Sequence, residues 1–170
     1  HHSGLHANPS NPSPNDNVRL HYNAEGSVQP WLDAGVDSDK IVMGVPFYGR
    51  AWGGVTSANN GLFQPGTFVP PGTWDDWTSG DTGVNDFSEI QSFLAGSDYV
   101  RYWDNDAKVP WLYSVNQHGG HFISYDDAES LGLKIDYVQS LDLGGVMFWE
   151  ITADRNETLL DVIHSGLTTP

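Results

Sequence analysis

The chain has 170 residues, 22 of them acidic and 7 basic, with a formal net charge of −15. That balance argues against nucleic acid and anionic membrane as partners, because both are gripped by Lys and Arg patches. With no cysteine, 38% hydrophobic residues and seven tryptophans, the chain has no disulfides and enough apolar matter for a core.

No run of about 18 apolar residues occurs, so no membrane-spanning helix is expected. No secretory leader is visible either. Residues 1–23 read as loop, because the run Asn8-Pro9-Ser10-Asn11-Pro12-Ser13-Pro14-Asn15 holds neither helix nor strand. His1-His2-Ser3-Gly4-Leu5-His6 clusters histidines. No acid at ligand spacing accompanies them, so no metal site is expected. Ser27 is predicted to cap a short helix through Ala34, with Pro30 tolerated in its first turn and Gly35 as its stop. Val28, Trp31 and Leu32 share the apolar face of that helix.

Residues 41–48 form a continuous apolar run, predicted as a buried parallel strand that ends in Phe47-Tyr48-Gly49-Arg50. Residues 51–121 then break the pattern. Short aromatic runs alternate with turn markers such as Asn59-Asn60-Gly61 and Pro70-Pro71-Gly72. One helix is predicted at 87–94, capped by Asp86 and burying Phe87, Ile90 and Leu94. Together these features suit a small inserted α+β domain, with Trp77, Trp103, Trp111 and Tyr113 in its core. After it, Asp126 is predicted to cap a helix to about Leu141 with the stripe Leu131, Ile135 and Val138. A strand at 144–149 and a helix from about Asn156 to His164 follow, the latter facing Leu159, Leu160 and Ile163 inward and ended by Gly166.

The strand at 144–149 opens on Gly144-Gly145, runs through Val146-Met147-Phe148 and ends in Trp149-Glu150. A strand ending this way sets a flat apolar face and an acid at one rim of a sheet, the rim where barrels of alternating strands and helices hold their sites. That pair suits a sugar ring, which has apolar C–H faces and hydroxyl edges.

Three stretches in this order resemble glycoside hydrolase family 18, the chitinases. They are the apolar run into Phe47-Tyr48-Gly49-Arg50, the stretch Gly120-His121-Phe122-Ile123-Ser124-Tyr125-Asp126-Asp127, and Asp142-Leu143-Gly144-Gly145-Val146-Met147-Phe148-Trp149-Glu150-Ile151. The resemblance implies an α/β fold, the C-terminal portion of a (β/α)8 barrel with an inserted α+β domain. Residues 1–50 and 122–170 would be barrel and 51–121 the insertion. A barrel of roughly 250 residues does not close with this chain alone, so the remainder would come from a missing N-terminal part. The family's Asp-x-x-Asp-x-Asp-x-Glu motif is absent here; Asp104-Asn105-Asp106 and Asp75-Asp76 lack the spacing. The chain alone is therefore expected to be inactive, with no catalytic residue of its own.

The resemblance also implies the site residues. Trp149 would be the floor beneath the sugar. Glu150 would touch substrate or support the floor. Tyr48 and Arg50 would face the groove, although packing and a solvated charge are the plain alternatives. Trp74 and Asp75, in Gly72-Thr73-Trp74-Asp75, resemble a sugar-contacting element of the insertion, or else shield a small core. The implied partner is chitin or its oligosaccharides, met outside the cell, with no cofactor. A chitin-binding relative without catalysis is the alternative. A free-standing carbohydrate module fits poorly, because it would not need barrel strands at both ends. The acidity fits an ordinary secreted enzyme or adaptation to high salt, where self-repulsion is screened.

Overall fold

A computed structural model describes residues 1–168. Its strands are β1 (Val42–Pro46), β2 (Tyr48–Trp52), β3 (Val84–Asp86), β4 (Val100–Asp104), β5 (Val109–Ser114), β6 (His121–Ser124) and β7 (Gly145–Trp149). Its α-helices are α1 (Ala24–Asp33), α2 (Phe87–Ala95), α3 (Ala128–Ser140) and α4 (Thr158–Thr168).

β1 and β7 make a two-stranded parallel sheet, in register from Val42 opposite Gly145 to Pro46 opposite Trp149. The alternation of side chains divides its two faces. Met43, Val45, Val146 and Phe148 pack into the main core together with Leu131 and Ile135 of α3 and Leu159 and Ile163 of α4. Val42, Met147 and Trp149 lie on the other face, 55%, 52% and 66% exposed. Parallel sheets are otherwise covered on both faces, so this sheet offers an apolar face that nothing in residues 1–168 covers.

The other five strands form one antiparallel sheet in the order β3-β2-β6-β5-β4. The apolar run at 41–48 is thus not one strand. The chain changes sheets at Phe47, which is fully buried and stacks on Phe148 with ring centroids 4.7 Å apart. Phe47 also ties the turn between β1 and β2 to two other elements through its backbone: its N–H donates to the Trp149 carbonyl of β7 and its carbonyl accepts from Phe87 of α2. A second, smaller core of Val55, Leu62, Trp111, Tyr113 and Phe122 lies under the loop before β3.

Several local expectations are corrected. α1 starts three residues before Ser27, because the Asn23 side chain accepts from the Gly26 amide and is the true cap. Only Val28 of its apolar face is buried, and Trp31 is exposed. α3 is capped by Asp127, in a capping box with Ser130. Asp126 is buried instead and accepts two 2.6 Å hydrogen bonds from Lys134. α4 begins later than expected, its first amides received by Asp154, and runs through Gly166. A Cβ at Gly166 would lie 2.6 Å from the Ile135 side chain. That glycine therefore permits close packing of α4 on α3 and does not end the helix.

The first residues are docked, not frayed. The His1 ring lies 2.9 Å from the buried Asp104 carboxylate. His2 meets Ser124 through its amide and its ring. Lys134 reaches Ser3 as well as Asp126.

Candidate functional site

The register of β2 and β3 sets Tyr48 opposite Asp86 and Arg50 opposite Val84. Tyr48 and Arg50 are two apart and share a face, while Gly49 and Ala51 between and beside them are buried on the other. The loop before β3 is tied to this edge. Thr73 donates its N–H to the Val84 carbonyl, and its side chain accepts from the Asp86 amide and donates to Glu89. This brings Trp74 over the same face. From the other sheet, β7 ends beside it in Trp149 and Glu150, whose connecting peptide is cis.

The result is one cleft of about 270 Å³ lined by Tyr48, Arg50, Trp74, Val84, Asp86, Trp149, Glu150 and Ala153. Five of the six residues singled out in the sequence converge there. The sixth, Asp75, does not line it. Its carboxylate accepts from the Gly72 and Thr82 amides and from the Thr82 hydroxyl, and so closes a turn. The Thr82 hydroxyl bond is also the main reason its pKa lies below the usual carboxylate value.

The walls are held from below. Asp86, only 2% exposed, caps α2 at the Glu89 amide and takes both terminal nitrogens of Arg155 at 2.7 and 3.1 Å. The Arg155 guanidinium lies 5.9 Å from the Trp74 ring centre. The Arg155 amide donates to Ser88, whose hydroxyl donates to the Ala153 carbonyl. The segment leaving β7 is thereby tied to the first turn of α2. Tyr48 is backed by His2, stacked at 5.4 Å, and the Arg50 guanidinium lies 5.9 Å from the Tyr48 ring. Burial lowers the His2 pKa to about 4, so the ring against Tyr48 is neutral. The Glu150 side chain accepts from the Thr152 hydroxyl.

Asp86, Arg155 and His2 were not among the residues expected here. Asp86 was legible only as a helix cap, and Arg155 and His2 reach the site through tertiary packing. A larger depression of about 490 Å³, lined by Trp31, Val42, Gly44 and His2 among others, lies beside β1 on its uncovered face. No group of three His, Cys, Asp or Glu able to hold a metal occurs among the described residues.

In chemical terms the cleft offers flat indole faces, hydroxyl and guanidinium donors, and a carboxylate at its floor. Such a lining can meet a ligand that presents both apolar faces and hydrogen-bonding groups. The fold is that of a segment of a β/α barrel bearing an inserted α+β unit. Residues 1–154 match the model of glycosyl hydrolases family 18, and the chain belongs to that family.

It is 44% identical to Chitinase A1 of Niallia circulans over 152 residues, 87% of this chain and 20% of that protein. It is 41% identical to Chitinase B of Serratia marcescens over 140 residues, covering 74% and 28% of the two. Among solved structures, Chitinase ChiA74 from Bacillus thuringiensis superposes with a TM-score of 0.87 at 36% identity, over 98% of this chain and 28% of that one. The chain thus spans less than a third of the length of these relatives.

Proposed function

We propose that this chain is part of a chitinase that hydrolyses β-1,4-linked N-acetylglucosamine polymers with retention, through substrate-assisted catalysis. The carrying observation is the convergence of Trp149, Tyr48, Arg50, Trp74 and Glu150 on one cleft. Most glycosidases use a pair of carboxylates, but this family is an exception. The substrate's N-acetyl oxygen attacks the anomeric carbon while an acid protonates the departing oxygen, and water then opens the cyclic intermediate. No Asp-x-x-Asp-x-Asp-x-Glu sequence is present, so the acid and its neighbouring Asp are assigned to the rest of a longer protein.

The uncovered apolar face of β1 and β7 supports that assignment, since further barrel strands would cover it. Residues 51–121 are read as the insertion that walls the groove. Trp149 is read as the floor on which the reacting sugar stacks, and Glu150 as the residue that holds the rim of that floor. Tyr48, Arg50 and Trp74 form the wall that fixes the sugar's orientation. These groups act by positioning and by favouring a distorted ring, not by proton transfer. The reaction is read as extracellular, because an insoluble polymer has to be cut before it can enter a cell. No helix among the described residues is long and apolar enough to cross a membrane.

The test is Trp149→Ala in the full-length protein, assayed on chitin oligomers. Aromatic stacking contributes about 1–3 kcal/mol, by analogy with base stacking. The expected fall in kcat/KM is therefore roughly tenfold to a hundredfold, shared between kcat and KM. Wild-type kinetics with only a lowered Tm would make Trp149 a packing residue and overturn the floor assignment.

A further inference from the structure

Trp77 was expected in a core and is instead 94% exposed, more than Trp74 or Trp149. The turn that carries it is well ordered by its own hydrogen bonds. Asp76 accepts from the Thr78 amide at 2.7 Å, the Ser79 amide at 2.9 Å and the Thr78 hydroxyl at 2.5 Å. The Asp76 amide donates to the Ser79 hydroxyl, and Gly80 donates to the Asp76 carbonyl. Asp75 closes the base of the turn on Gly72 and Thr82. Two carboxylates thus satisfy the backbone and leave an indole held out into water, where an apolar side chain loses the benefit of burial.

Its position gives that exposure a use. Three residues span at most about 11 Å of chain, so Trp77 stands within that reach of Trp74, which lines the cleft. Residues 70–84 contain no Lys or Arg and three Asp, in a protein of net charge −15. Polyanions are repelled by such a surface. A neutral polymer of pyranose rings is not, and its C–H faces match an indole face.

We infer that Trp77 is a separate carbohydrate platform outside the cleft, binding a unit of the same neutral polysaccharide whose reacting sugar lies on Trp149. The inference rests on the carbohydrate reading of the cleft. It is tested by Trp77→Ala in the full-length protein, on a chromogenic chitobioside and on insoluble chitin. A fully exposed side chain is removed, so folding is preserved, and an unchanged Tm checks this. The expected result is a fall in binding and hydrolysis of insoluble chitin of about fivefold or more, relative to activity on the chitobioside. Trp77→Phe should recover part of it. If Trp77→Ala matches wild type on insoluble chitin while Trp149→Ala is impaired, the platform is overturned and the cleft stands. Equal losses on both substrates also overturn it, as does a protein partner on the turn, which leaves the chitin ratio unaltered. A wild-type protein that neither binds nor cleaves either substrate overturns both readings.

Discussion

Asp86 accepts the Glu89 amide at 2.7 Å through one oxygen and grips Arg155 with both. Removing either partner of this pair tests different things. The Arg155 side chain is 48% exposed, so water screens the attraction, and Arg155→Ala should cost little. Asp86→Ala loses the same pair and the cap of α2, which contributes about 1 kcal/mol more. Urea unfolding of the full-length protein should rank Asp86→Ala below Arg155→Ala. Equal losses would mean that the cap contributes nothing. At this scale the sequence disclosed side chains that sit on strand ends. Trp149, Tyr48 and Arg50 were singled out by the family resemblance at the ends of apolar runs, and the structure adds that alternation along β2 sets Tyr48 and Arg50 on one face. Arg155 was not, because its role depends on a segment after β7 meeting a helix start 69 residues away in sequence. Asp75 was misread because an acid beside a Trp looks the same in sequence whether it faces a ligand or closes a turn.

Among the elements, caps separated the correct readings from the wrong ones. Asp86 before α2 was picked out over its neighbour Asn85 by Glu89 three residues on, and it is the observed cap. Asp126-Asp127 before α3 offers two choices of cap, and the same spacing to Glu129 pointed to Asp126, whereas the cap is Asp127 with Ser130. The structure gives Asp127 the amides of Glu129 and Ser130, and Asp126 the ammonium of Lys134. The consequences differ in size. Asp127→Ala should cost about 1 kcal/mol, the usual loss of a cap. Asp126→Ala leaves the Lys134 ammonium, 2% exposed, without its counter-charge and should cost about 3–5 kcal/mol. Chemical denaturation of the two variants checks the order, and a smaller loss for Asp126→Ala would contradict it. The single strand expected at 41–48 failed for another reason. Apolar periodicity reports burial, and Phe47 is buried whether the chain continues or changes sheets.

For the molecule as a whole, pH acts through two buried imidazoles. His121 is 2% exposed, its Nδ1 lies 2.6 Å from the Tyr99 hydroxyl, and its ring meets His118 at 4.6 Å. Burial, assisted by His118, lowers its pKa to about 4, and burial does the same to His2. In the unfolded chain each titrates near 6.5. Below that value the unfolded state binds protons that the folded state refuses. Stability from each ring is therefore complete above about pH 6.5 and is lost as pH falls toward about 4, by up to about 1.4 kcal/mol per unit per ring. Protonating carboxylates relaxes the repulsion of the −15 charge and acts in the opposite direction. Comparing His121→Gln with the parent cancels that background. The variant's stability should depend less steeply on pH between about 4 and 6.5. An unaltered slope would place His121 outside the acid response.

β2 leaves the barrel strand at Phe47 and β6 returns the chain toward α3, and the two are hydrogen-bonded neighbours with Arg50 opposite Ser124. Paired residues across antiparallel strands stand about 5 Å apart. Everything from Ala51 to Ile123 therefore enters and leaves through a doorway one strand-pair wide. Loops beyond that doorway can lengthen or shorten without moving β1 or β7, provided the two doorposts stay paired and α2 keeps its hold on Phe47 and Ala153. The groove wall is in this sense a cartridge. A lineage, or a designer regrafting the loops between Arg50 and Ser124 around a retained α2, can reshape one side of the cleft while β1 and β7 stay in place.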